Sequence, residues 1–249
     1  MNTKLSVNVN KIALVRNSRG ANYPDLLRMS LDLEDYGAEG ITVHPRPDER
    51  HIRYDDIPIL RAHIETELNI EGYPTDDFIK LVIDNHADQV TLVPDPPGAL
   101  TSDHGWDFKK DSTFLQRIIP AFKSAGIRVS LFIDADADHV NAAQDTGADR
   151  IELYTGPYAH KYEVDKKGDI QDHIAASRRA MEIGMGVNAG HDLNLKNLAF
   201  YAHSLPLLQE VSIGHALIVD AMYWGYSNAI QMYKDRLAHP EHYLSPIQQ

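Results

Sequence analysis

The sequence contains no cysteine. That absence excludes disulfides, thiolate zinc sites, iron–sulfur clusters and a cysteine nucleophile. Positive charge is also scarce. Lys and Arg number 24 against 36 Asp and Glu, for a formal net charge of −12. A broad nucleic-acid face is therefore not expected, because phosphate backbones select basic stripes. Small phosphorylated ligands stay compatible, since a pocket can be locally positive on an acidic body. No apolar run approaches the ~18 residues that suggest a membrane span. The opening stretch from Met1 to Asn8 lacks the apolar core of a signal peptide. The expectation is a cytoplasmic protein without a membrane partner.

What is present is a 249-residue chain, 43% hydrophobic and 24% charged, the composition of an ordinary globular protein. A chain of this length buries roughly three quarters of its unfolded surface and needs no staples. No composition break divides it, so a single domain over 1–249 is expected.

One unit recurs: an amphipathic helix, a glycine or polar turn, then a short apolar run. Gly126 leads into Ile127–Ile133, Gly147-Ala148-Asp149 into Arg150–Leu153, and Gly184 into Met185–Asn188. Gly37–Gly40 leads into Ile41–Val43, and His86-Ala87-Asp88 into Gln89–Val93. Such runs suit parallel strands fed by glycine-capped helices. With Leu5–Val9, Glu67–Ile70 and Glu210–Ile213, the count reaches eight strands. Helical periodicity fills about 24–36, 56–64, 75–86, 113–124, 137–146, 170–183, 195–204 and 216–237. The fold class is α/β, a single (β/α)8 TIM barrel with extended βα loops. A doubly wound open sheet is disfavoured, because no GxGxxG turn follows the first strand. The long connections 10–23, 94–112 and 154–169 are expected as loops on the catalytic face, and 238–249 as a loose tail or strap.

Reactive groups in a barrel come from the C-terminal ends of its strands. Those ends carry Asn8, Asn10 and Lys11; His44 and Arg46, with His51 behind; Glu71; Asp95, with Thr101 in the loop; Asp134; Glu152; His191 and Asp192; and Gly214-His215. Any one of these fits equally as a paired residue of the packed layers. Histidines and glutamates converging on one rim instead point to proton transfer. Gly214-His215 opens the last helix, where free N–H groups favour a phosphate. Arg16 and Arg50 read as solvated loop charges rather than anion ligands. Histidines 63, 86, 104, 139, 160, 173, 203, 239 and 242 read as surface residues. His44, His191 and His215 with Asp134 or Glu152 are chemically able to hold zinc, but no HxH or HExxH spacing supports a metal. No lysine lies in a strand after the first, so imine chemistry would use an amine brought by a substrate.

Val7–Ala13, Arg16–Gly20, Gly40–Ile52 (GITVHPRPDERHI), Asn69-Ile70-Glu71, Val129–Asp136, Ile151–Gly156, Val187–His191 (VNAGH) and Ile213–Ala216 resemble the pyridoxine 5′-phosphate synthase family, in order, from about residue 5 to 235. The resemblance implies a vitamin B6 enzyme. It condenses 1-deoxy-D-xylulose 5-phosphate with 3-amino-2-oxopropyl phosphate to pyridoxine 5′-phosphate, phosphate and water. It implies no metal or organic cofactor, and a homo-octamer built from dimers. It implies His44 as acid/base, Glu71 as second base, His191 as proton donor and Glu152 as stabiliser of charged intermediates. Asn8, Arg19, Gly214 and His215 would meet the aminoketone phosphate. Asn10, Lys11, Arg46, His51 and Thr101 would meet the deoxyxylulose phosphate. Three positions depart from the family pattern: Asn10-Lys11 replaces Asp-His, and Asp192 replaces a substrate-contacting glycine. Asp192 is expected to point away from phosphate and cap the helix that follows. The alternatives are another phosphosugar aldolase or epimerase on the same barrel, and a non-catalytic sensor of phosphorylated ligands.

Overall fold

The computed structural model describes residues 3–95, 102–167 and 169–245. The eight strands are β1 (Lys4–Asn8), β2 (Gly40–Val43), β3 (Glu67–Gly72), β4 (Gln89–Leu92), β5 (Arg128–Ile133), β6 (Arg150–Tyr154), β7 (Gly186–Gly190) and β8 (Glu210–Ile213). All pair in parallel and in chain order, and β8 returns to β1 to close the barrel.

The strands alternate with helices that cover the outside. Several turns use the glycines that the sequence pattern singles out: Gly126, Gly147 and Gly184 adopt φ of 76°, 87° and 78°. Strand side chains divide by parity. Leu68 and Ile70 of β3, like Val129, Leu131 and Ile133 of β5, join the buried apolar shell. The intervening residues are mostly polar and meet across the barrel axis, Phe132 of β5 being the exception, packed 5.4 Å from the Tyr154 ring. Thr91 of β4 donates to Asn69 at 3.1 Å and to Glu152 of β6 at 3.3 Å. Asn188 of β7 donates to Gln89 of β4 at 3.3 Å. The aliphatic residues therefore lie between strands and helices, while the barrel interior is a hydrogen-bonded polar stack leading to its mouth.

Four regions differ from the sequence expectation. The stretch 10–23 is not all loop, since α1 (Asn10–Asn17) follows β1 directly. Likewise α7 (Gly156–Val164) occupies most of 154–169, with Pro157 pre-setting its first turn. The helix expected from 113 begins earlier, at Phe108, where Asp107 caps α5 (Phe108–Ser124). The last helix is two, α10 (His215–Trp224) and α11 (Tyr226–Ala238). Gly225, at φ 76° and ψ 152°, breaks the continuity. The tail is tied as far as Ser245: Arg236 lies 4.3 Å from the Tyr243 ring, and Tyr243 bonds Asp235.

Candidate active site

The C-terminal strand ends carry a connected set of polar side chains. Asn8, the last residue of β1, accepts from the Asn10 amide at 3.0 Å and donates Nδ2 to Glu71 Oε2 at 3.4 Å. Asn10 Oδ1 accepts from the backbone N–H of His44 at 2.9 Å. His44 Nδ1 lies 3.9 Å from Glu71 Oε2. The three sequence-predicted strand ends β1, β2 and β3 thus converge through side chains. The His51 ring stands edge-on to His44 with centroids 6.3 Å apart.

Electrostatics separate the members of this set. Burial holds His44 well below the usual histidine range, and Arg46 and His51 add to the effect. His51 is lowered to about 4, again chiefly by burial, then by Arg46, Arg50 and Lys11. Glu71 moves the other way, to about 8, through burial and the negative charge of Asp95, against the opposing pull of Arg46. Glu152 is likewise raised, by burial and by Glu71. A neutral imidazole therefore stands beside a carboxyl that titrates near neutrality, with the second carboxyl coupled to the first.

Arg46 reaches Asp95 at 2.8 Å, and Ser102 donates to the same carboxylate oxygen at 2.7 Å. Asp95 is buried, and its other oxygen has no partner among the described residues. A cavity of about 260 Å³ opens here, lined by His44, Arg46, Arg50, Tyr54, Tyr73 and Asp95 among others. Two glycines let the side chains of the mouth approach closely. A Cβ on Gly190 would come within 2.3 Å of Glu152 Oε1, and one on Gly214 would meet Asn8 Cβ at 3.1 Å. Strands β7 and β8 thereby press against Glu152 and Asn8.

On the far side, the His191 ring stands edge-on to Tyr154 at 5.3 Å, and its Nδ1 lies 2.9 Å from Asp192 Oδ2. Gly214 precedes α10, whose first hydrogen bond runs from the Ile218 amide to the Gly214 carbonyl. The amides of 215–217 are left as helix-terminal donors. His215 is exposed there. Lys11 is exposed on α1 near His51. Arg19 is exposed just beyond α1, and the contacts above do not tie it to the cluster. Thr101, with the rest of 96–101 in the connection 94–112, lies outside the described residues. Asp134, at the end of β5, accepts from the Gly105 amide at 3.1 Å and so anchors the loop after β4.

Three readings of the residues are corrected. Arg16 is no solvated loop charge: it is 2% exposed, paired with Asp56, and donates to the His51 carbonyl at 3.2 Å. His173 is buried against Tyr201, not on the surface, with Nδ1 2.9 Å from the Tyr201 hydroxyl. Asp192 caps no helix; Asn194 and Asn197 bond within that turn, and α9 (Leu198–Ser204) starts beyond it. The sequence reading missed Thr91, Ser102 and Tyr154 as neighbours of the site. Only Tyr154, directly after the β6 core, had a positional signal. Among the described residues, the group of side chains close enough to share a metal ion is His239, Glu241 and His242 on the exposed tail, not the mouth histidines.

The model of one protein family, described as pyridoxal phosphate biosynthesis protein PdxJ, matches residues 5–239. The chain belongs to this family. A relative from Porphyromonas gingivalis named pyridoxine 5′-phosphate synthase is 54% identical, covering 95% of this chain and 99% of its own. Relatives of the same name from Cytophaga hutchinsonii and Flavobacterium johnsoniae are 55% and 52% identical, covering 93% and 94% of this chain and 97% and 99% of their own. Among solved structures, 3-keto-L-gulonate-6-phosphate decarboxylase from Vibrio cholerae superposes with a TM-score of 0.65 at 10% identity, covering 98% of this chain and 100% of that one. Tryptophan synthase subunit alpha from Legionella pneumophila gives 0.57 at 15%, covering 95% and 93%. These structural likenesses establish the barrel alone. The PdxJ family match and the synthase relatives establish an enzyme of vitamin B6 biosynthesis.

Proposed function

We infer that the chain joins 1-deoxy-D-xylulose 5-phosphate to 3-amino-2-oxopropyl phosphate, giving pyridoxine 5′-phosphate, inorganic phosphate and water. The observation that carries the site assignment is the 3.9 Å approach of His44 to Glu71 on the mouth of a barrel more than half identical to named synthases.

The chemistry asks for repeated proton transfers. The substrate amine adds to the ketone of the deoxyxylulose phosphate, and water leaves to give an imine. Later steps expel phosphate and a further water as the ring closes. His44, neutral at pH 7 because burial disfavours its charged form, takes up a proton. Glu71, titrating near 8, both accepts and returns protons in that range. Glu152, coupled to Glu71, faces cationic imine intermediates. His191 returns a proton to a leaving oxygen.

Two anion seats hold the substrates in register. The amides opening α10 at Gly214-His215, with Asn8 and Arg19, take the aminoketone phosphate. Lys11, Arg46, His51 and Thr101 take the deoxyxylulose phosphate, with Asn10 beside them. Fixing two reactants this way lowers a barrier by up to roughly 7–11 kcal/mol. The chain works in the cytoplasm as a homo-octamer built from dimers, and a solution mass near eight chains checks the assembly. No helix of the described residues is long and apolar enough to cross a membrane.

Incubating the purified chain with both phosphates tests the reading. Pyridoxine 5′-phosphate and one phosphate per turnover are expected, with no loss of rate in chelator. Rate loss in chelator without this product would favour a metal-dependent aldolase instead. Binding of deoxyxylulose phosphate without any turnover would favour a sensor.

A further inference from the structure

We propose that Asp192 is a positioning residue for His191, fixing which imidazole nitrogen carries the proton used in the reaction. The proposal deepens the synthase reading and rests on its assignment of His191 as proton donor.

Just beyond β7, two consecutive non-glycine residues adopt left-handed backbone, His191 at φ 83° and Asp192 at φ 61°. That conformation is uphill for L-residues and persists only where surroundings over-determine it. They do so here. Thr155 Oγ1 donates to the Gly190 carbonyl at 2.7 Å and also to that of His191. The side-chain amides of Asn194 and Asn197 each donate to the Asp192 carbonyl at 3.2 Å. Asn194 and Asn197 also satisfy the following turn, which leaves the Asp192 carboxylate for other use. It is spent on His191 Nδ1, 2.9 Å away.

A carboxylate at Nδ1 holds the neutral ring in the Nδ1–H tautomer, so Nε2 is the atom that gives up and regains a proton. The ring cannot swing freely, because Tyr154 packs edge-on against it. Other charges face this pair: Glu152 from β6 and Asp103 from the loop after β4 act on His191, while His160 of α7 and His215 of α10 face Asp192.

The test uses the whole chain as Asp192→Asn and Asp192→Gly, with two readouts. Nitrogen-detected NMR of the unliganded protein gives the His191 tautomer. Steady-state rates give kcat and KM for each substrate. Asn keeps a hydrogen-bond acceptor at Nδ1, so the Nδ1–H tautomer should persist and kcat should fall less than in the Gly variant. Gly removes the acceptor, so the tautomer preference should be lost and kcat should drop about three- to tenfold with KM little changed. An unchanged tautomer in Asp192→Gly would overturn the proposal. So would a raised KM for the aminoketone phosphate with an unmoved tautomer, which would mark a direct substrate contact. A wild-type chain that shows the Nδ1–H tautomer yet makes no product would sink the synthase reading and leave the His191–Asp192 pairing standing.

Discussion

Arg16 and Asp56 form a two-pronged ion pair beneath the mouth of the barrel, Nη1 to Oδ1 at 2.6 Å and Nη2 to Oδ2 at 2.9 Å. Asn17, beside Arg16, donates to the carbonyls of Glu49, Arg50 and His51, so α1 grips the loop that carries His51 to the mouth. Asp56→Ala strands a buried guanidinium and should cost about 3–5 kcal/mol of stability. Denaturant unfolding measures it. A loss under about 1 kcal/mol would mean the pair is dispensable.

Gly190→Ala should separate activity from stability. The added methyl meets Glu152 Oε1 at 2.3 Å, the far end of a flexible side chain rather than backbone. The carboxyl moves aside, so the melting temperature should change little. Turnover should fall at least about tenfold, the scale on which misplacing a catalytic group is felt. A wild-type rate in this variant would remove Glu152 from the mechanism.

Asp95 raises Glu71 by its charge. Asp95→Asn removes that charge, so Glu71 should titrate at lower pH and the corresponding limb of the rate profile should move the same way. Initial rates across pH 5–9 report it. A limb that moves upward, or not at all, contradicts the assignment of that limb to Glu71.

Stability should also depend on pH. Glu71, Glu152 and Glu210 are each raised to about 8, mainly by burial. A carboxyl raised on folding favours the folded state below its unfolded value, and that advantage is lost as pH rises toward 8. His44, His51 and His173 are lowered by burial, so their contribution is present above about 6.5 and lost as pH falls through their folded values. Melting temperature should therefore fall as pH rises from neutrality to 8, while below about 6.5 the histidine loss and the carboxyl gain oppose each other and the profile should be shallow. Glu152→Gln should flatten the alkaline side, and an unchanged slope there would mean Glu152 is not titrating.

The barrel was legible because helix periodicity, turn glycines and short apolar runs repeat in register along the chain. The strand ends were legible too, since period-two alternation places Asn69 and Glu71 on one face and Leu68 and Ile70 on the other. What the sequence hid was long-range. Arg16 looks like a loop charge until Asp56, forty residues on, is brought against it. His173 looks like a surface residue of an amphipathic helix until Tyr201 covers it. Asp192 looks like a helix cap, because a cap and a histidine partner differ only in where a pinned turn aims the carboxylate. Gly225 broke the final helix unnoticed because the apolar pattern runs through it.

The central claim is that His44 and Glu71 move protons in the condensation. Its most direct test is product formation by wild type, His44→Asn and Glu71→Gln under saturating amounts of both phosphates. Pyridoxine 5′-phosphate should appear with wild type, and kcat should fall by roughly 10² or more in each variant with substrate binding largely retained. Wild-type rates in either variant, or no product from the unaltered chain, would contradict it.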